Sequence, residues 1–268
     1  MKKTFNLLMI AALGCGVLTF SSCSDESGDD PTPGTTTPST KCYMTQEQII
    51  DDVETETINY TYDSDDNVIL AVSSYPGEEA DSTSFTYSGG RLETAYDGYT
   101  KSTFLYEGTS SIPNRIDIEE GGVSAGYVLL TTVGNNITKV ENHYFYEKND
   151  VIEDETTVEY DASGNITSAI MKEYNEDTKM LEPFMELSNV VNDGKKNPRS
   201  ESFAFFYMNS DNPTSFGTSN VTSAALTVSG IPTSMTASMT YNEHDYPTEM
   251  TATVLGFSNQ FKMTYNCK

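Results

Sequence analysis

The chain has 268 residues, with 17 Tyr, 12 Phe and no Trp, and a formal net charge of −25. That charge repels phosphate backbones, so nucleic acid is excluded as a partner and an anionic membrane face is disfavoured. An apolar content of 37% with 11% aromatics suits a sheet protein with one wet face and argues against disorder for most of the chain.

Residues 1–22 read as an address. Lys2 and Lys3 precede an apolar run, Leu7 to Phe20, too short to cross a bilayer comfortably and suited to a signal-peptide core. Leu18-Thr19-Phe20-Ser21-Ser22-Cys23 resembles a bacterial lipobox, with Phe20 in place of the usual Leu. The resemblance implies lipidation of Cys23. Leu13-Gly14-Cys15 is the rival site, and its use leaves Val17 to Phe20 exposed in the mature chain. Cleavage before Cys23 removes two lysines and no acid, so the net charge moves from −25 to −27. Asp25, Glu26, Asp29 and Asp30 follow at once and resemble the surface-export signal of Bacteroidetes lipoproteins; a solvated spacer is the alternative. From Pro31 to Thr40 only Pro, Thr, Ser and Gly occur, which makes a linker. Residues 23–41 are thus the tether and residues 42–268 form one domain.

The domain repeats a short unit: an apolar residue, any residue, Tyr, then a turn. It occurs at Tyr60/Tyr62, Phe85/Tyr87, Phe104/Tyr106, Tyr144/Tyr146, Val158/Tyr160, Phe205/Tyr207, Met239/Tyr241 and Met263/Tyr265. Asp161 to Asn165 is the clearest turn, with Asp161 to cap it and Gly164 to take the left-handed conformation. Met235, Ala237, Met239 and Tyr241 alternate with polar residues, a period of two. Consecutive hairpins need no crossover, so the predicted fold is all-β, an antiparallel meander curled into a closed or partly open barrel. Leu181 to Val191 is open to a short helix. Tyr174 to Ser202, with its basic cluster Lys195, Lys196 and Arg199, and Asn209 to Asn220 read as surface excursions of the sheet.

Tyr160 to Ile166 resembles the tyrosine-aspartate repeats of Rhs-type shell proteins. The lipobox, acidic tether, Tyr-rich hairpins and Tyr246-Pro247-Thr248 together resemble Bacteroidetes surface lipoproteins of unknown function described as porin-like in fold. That resemblance implies a barrel-like body and no activity. Asp81-Ser82-Thr83 resembles the O-glycosylation acceptor of exported Bacteroidetes proteins, which marks Ser82.

Chemistry is sparse. Asp63 to Asn67 opens like a calcium loop, but Val68 and Ser74 occupy its Gly and Glu positions, so an acidic hairpin turn is expected. His143 and His244 are not clustered with zinc partners. No nucleophile-elbow sequence supports a Ser-His-Asp triad, and no metal or other cofactor is expected. Among 40 acids, sequence cannot choose a hydrolytic pair. Cys42 and Cys267 remain once Cys15 leaves and Cys23 is lipidated. They are expected to form a disulfide that bridges the first and last strands of a closed meander, with two unpaired thiols as the alternative.

The expected function is a lipid-anchored outer-membrane protein, exposed at the cell surface and non-enzymatic. It acts as a binding or structural accessory, with a glycan or protein ligand. Two alternatives stand beside it: a glycan-processing enzyme or accessory, recognisable by a cleft with facing carboxylates, and a carrier, recognisable by a wide apolar cavity.

Overall fold

The computed structural model describes residues 40–268 except 52, 147 and 148; the signal, Cys23 and nearly all of the tether lie outside the described residues. Sixteen strands follow one another: β1 (Cys42–Ile50), β2 (Thr55–Tyr62), β3 (Val68–Ser74), β4 (Asp81–Ser88), β5 (Arg91–Tyr96), β6 (Thr100–Leu105), β7 (Arg115–Glu120) and β8 (Val123–Val133). The second half holds β9 (Asn136–Tyr146), β10 (Asn149–Tyr160), β11 (Ile166–Asn175), β12 (Met180–Lys196), β13 (Ser219–Val228), β14 (Ile231–Tyr241), β15 (Pro247–Val254) and β16 (Phe257–Cys267). Each pairs antiparallel with its sequence neighbours, and β1 pairs with β16 to close a barrel.

The Tyr unit has a repeated physical role. On β2, β4, β10 and β14 the return strand carries one extra residue just after the turn, so the register shifts beside Tyr62, Tyr87, Tyr160 and Tyr241. Such a bulge re-aims the side chain next to it. Tyr62, Tyr87, Tyr106, Tyr160 and Tyr265 then donate their hydroxyls to the carbonyls of Met44, Val68, Leu92, Ile137 and Pro247, each on the preceding strand. The ring covers the core while the hydroxyl satisfies a carbonyl at the barrel's end. Burial pushes the phenols of Tyr87 and Tyr106 up to about 12, so these donors keep their protons. Below each turn the carboxylate of Asp63 or Asp161 accepts backbone amides two and four residues on, and Asn242 does the same with its amide oxygen.

The apolar faces point inward. Tyr60, Val68, Phe85, Leu92, Phe104, Ile116, Val128 and Val140 form one cluster, and Val158, Ile166, Ala169, Leu187, Ala224 and Leu226 form a second. The outer wall is polar. Ser234, Thr236, Ser238 and Thr240 are exposed along β14, and Lys139 and Lys172 share Glu155 across β9, β10 and β11. A lipid-facing barrel carries the reverse arrangement, apolar outside and polar inside. At Gly126 of β8 an added Cβ would lie 2.1 Å from the His143 carbonyl oxygen, so only glycine lets the two strands approach there.

Three sequence expectations need correction. Leu181 to Val191 is part of the strand β12, not a helix. Phe205/Tyr207 does not start a hairpin: it lies in the helix α1 (Phe203–Met208), capped by Ser202, whose hydroxyl accepts the Ala204 amide. Residues 198–216 are also no surface excursion. They contain α1 flanked by two single 3-10 turns and fill the barrel from within. Phe205 stands edge-on to Tyr60, Phe203 and Tyr207 to Phe104, and the Tyr207 hydroxyl bonds Ser102 on β6. An unbroken apolar stretch has no wet face, which suits a buried helix better than a half-exposed strand. The Arg199 guanidinium pairs with Glu47 of β1, whose carboxylate is 1% exposed and also accepts the Tyr60 hydroxyl.

Removing one partner of this buried pair strands a charge. Glu47→Gln or Arg199→Met should each cost about 3 kcal/mol in urea unfolding, while the apolar double variant Glu47→Leu/Arg199→Met recovers most of the loss. A double variant that loses the sum of the two single losses would show that each side chain acts independently of its partner's charge and contradict this. The Cys42–Cys267 disulfide joins paired residues of β1 and β16 across 225 residues of chain. In the chain-entropy model such a closure is worth about 5 kcal/mol. The double variant Cys42→Ala/Cys267→Ala should therefore melt well below the wild type, and an unchanged melting temperature would contradict this.

Candidate functional site

The barrel has two unlike ends. The start of β1 and the end of β16, joined by the disulfide, lie at the plugged end, where the chain enters at Lys41 and most of the Tyr turns cluster. Basic side chains cover aromatic rings here: Lys195 lies over Tyr241 at 4.2 Å, Lys196 over Tyr246 at 4.5 Å and Arg91 over Tyr106 at 4.6 Å. The seam between β1 and the plug leaves a cavity of about 30 Å³ lined by Met44, Tyr62, Pro198 and Phe205. That is room for about one water.

The opposite, open end consists of the eight hairpins that join each odd strand to the next even one. Seven of them carry an exposed large apolar side chain at or beside the tip: Val53, Tyr99, Val123, Tyr146, Met180, Ile231 and Leu255. Nine of the thirteen exposed large apolar side chains among the described residues lie at this end, Val53 the most exposed at 79%. Acids stand between them: Glu78, Glu79, Glu119, Glu176 and Asp177 are all exposed.

A groove of about 420 Å³ lies in this mouth, lined by Glu173, Tyr174, Asn175, Glu182, Pro183, Phe184 and Ser229. Its shape follows from β12. The register of β11 against β12 shifts beside Met171, and the Phe184 carbonyl accepts the amide of Ser229, which has a positive φ of 49°. Sequence reading singled out Tyr174 to Ser202 without seeing this groove, because a bulge and a pairing between Phe184 and Ser229, 45 residues apart, leave no local motif.

Three carboxylates run across the mouth in register: Asp154 pairs with Glu173 and Glu173 with Glu182. Burial pushes Asp154 up to about 6, although Asn142 donates to it at 2.6 Å. Partial desolvation of its exposed side chain, with Glu153 nearby, also raises Glu173. Glu182 goes the other way, because Thr178 and Asn175 donate hydrogen bonds to it. One groove thus holds a carboxyl biased toward its protonated form beside one biased toward its ionised form.

The other sequence candidates are scattered. Ser82 is exposed on the outer face of β4, opposite Val72. His143 stacks on Tyr127 at 4.3 Å and bonds Asp150 at 2.8 Å, with Arg115 covering the far side of Tyr127 at 3.9 Å; this is a layered outer-wall contact. His244 comes within 4.8 Å of Cys42 and Cys267, but the disulfide removes the thiolates that zinc would need. Asp63 is spent on its turn.

No family model and no curated protein matches the chain. Solved structures do. A porin-like protein from Bacteroides uniformis ATCC 8492 superposes with a TM-score of 0.55 at 10% identity, covering 83% of this chain and 96% of that one. A porin-like protein from Bacteroides vulgatus ATCC 8482 gives 0.50 at 12% identity, covering 84% and 99%. At such identities the likeness establishes a shared porin-like barrel fold.

Proposed function

We propose that this chain is a surface-tethered, non-enzymatic lipoprotein that holds its plugged end toward the tether and presents its open mouth to a ligand. The observation that carries this reading is the concentration of exposed apolar side chains, nine of the thirteen among the described residues, at the open end, away from Lys41 where the tether joins. Exposed apolar tips add little to folding, and surface substitutions usually change stability by under about 0.5 kcal/mol. Their retention is explained by contact with something else. The carrier alternative loses support from the plug, which occupies the interior where cargo would sit.

Lipidation at Cys23 supplies the anchor in this reading, and glycosylation at Ser82 adds a sugar to the outer wall. Cys23→Ala should release the protein from membranes. A single cysteine placed at Gly230, in the β13–β14 tip, should react with a membrane-impermeant maleimide on intact cells. Labelling only after lysis would overturn surface display. Peptide mass spectrometry of protein from its native host should find a glycan on Ser82, and a fully unmodified peptide would remove that assignment.

The carboxylates Glu173 and Glu182 favour a second reading, glycan hydrolysis, since opposed protonation is how acid and base roles are set. Release of reducing ends from polysaccharide, abolished by Glu182→Gln, would establish it; no release from any tested glycan returns the mouth to binding alone. Asp154 carries a pH consequence in either case. Its carboxyl is raised in the folded state, so folding binds a proton between about pH 4 and 6 and stability falls as pH rises through that window. Asp154→Asn should flatten this slope and raise stability at pH 7 by about 2 kcal/mol in urea unfolding. An unchanged slope would show that Asp154 titrates normally.

A further inference from the structure

We infer that the open mouth takes a cationic amphipathic peptide segment; this rests on the reading of the mouth as the presented face. The first observation is apolar. Ile231 and Leu255 crown neighbouring hairpins, and no charged residue occurs between Ser219 and Asn242 or between Met250 and Phe261. Behind these tips Met235, Met239 and Met250 line the inner wall, partly exposed. Methionine adapts its shape to different apolar partners, so such a wall accepts an apolar face without a fixed template. The second observation is electrostatic. Beside the Ile231 tip, on the adjoining strands β11 and β12, stand the carboxylates of Glu173 and Glu182 in one groove with Ser229, with Glu176 and Asp177 at the next tip, in a chain whose net charge is −25.

An uncharged apolar strip with an acidic wall alongside it is complementary to a segment with an apolar face flanked by Lys or Arg. The same features count against other occupants. A second copy of the chain would set acids against acids, and an anionic bilayer would be repelled. A sugar polymer would stack on the tyrosines but leave Val123, Ile231 and Leu255 in water. The long-range field of the chain would speed the encounter, and the apolar strip would then select for amphipathic order.

The test uses the full mature protein and three synthetic 18-residue peptides: Leu and Lys at helical spacing, the same composition scrambled to remove the apolar face, and Leu and Glu at helical spacing. Calorimetric titration should show the first binding at least tenfold tighter than the second and no binding of the third. Ile231→Ser/Leu255→Ser should lose at least tenfold for the ordered Lys peptide, leave the scrambled peptide unchanged and keep the wild-type melting temperature. Glu173→Gln/Glu182→Gln should reduce the salt dependence of binding. Equal binding of ordered and scrambled peptides, or of wild type and the tip variant, overturns the inference. So does co-sedimentation with phosphatidylcholine vesicles that is lost in the tip variant, which would make the mouth a lipid-docking face. If Gly230 is labelled on cells while no peptide binds, display survives and only the partner chemistry falls.

Discussion

A ring of sixteen strands encloses more space than its own inward side chains fill. About eight strands is the size at which side chains alone suffice, and rings of sixteen or more leave a channel unless something occupies it. The structure meets this constraint with residues 198–216, which bring Phe203, Phe205 and Phe206 into the interior. Everything else at the plugged end serves that insertion. The Tyr hydroxyls finish the carbonyls at the rim, Glu47 receives Arg199, and the disulfide fixes the seam through which the first and last strands meet.

The consequence is a barrel wet on the outside and apolar within. Threonines and serines on β14 and the Lys139–Glu155–Lys172 bridge on the neighbouring wall are groups that water solvates. The core clusters thin out toward the open end: Met171 is buried, whereas Glu173, two residues further along β11, is exposed. Stability and ligand contact are therefore separated along the barrel axis. One end carries the packing, and the other is free to carry apolar and acidic groups that folding does not require.

Much of this was legible in the sequence. The Tyr unit specified the meander because its period of two and its Asp, Asn or Gly turn agree at most occurrences, as at Tyr160 and Gly164. Cys42 and Cys267, at the two ends of the hairpin array, were the sequence sign that the first and last strands meet. What misled was the interior. Phe205 and Tyr207 have the spacing of a strand, but Phe203 to Met208 has no polar alternate residue, and a barrel of this girth needs a plug. Arg199 looked like a member of a surface basic cluster; only the fold reveals that Glu47, 152 residues away, receives it. The open mouth was invisible for a simpler reason. Val53, Val123, Ile231 and Leu255 sit at tips of separate hairpins, and only closure brings them to one rim.

The central claim is that the plug end holds the fold while the mouth is free of that duty. Native-state hydrogen exchange of the mature protein measures this directly. Amides of Phe203 to Met208, and of β1 and β16 beside the disulfide, should exchange only through global unfolding, while those at Ser229 to Ile231 and Leu255 to Phe257 exchange by local opening. Fast exchange in Phe203 to Met208, with protection at the tips, would contradict the account.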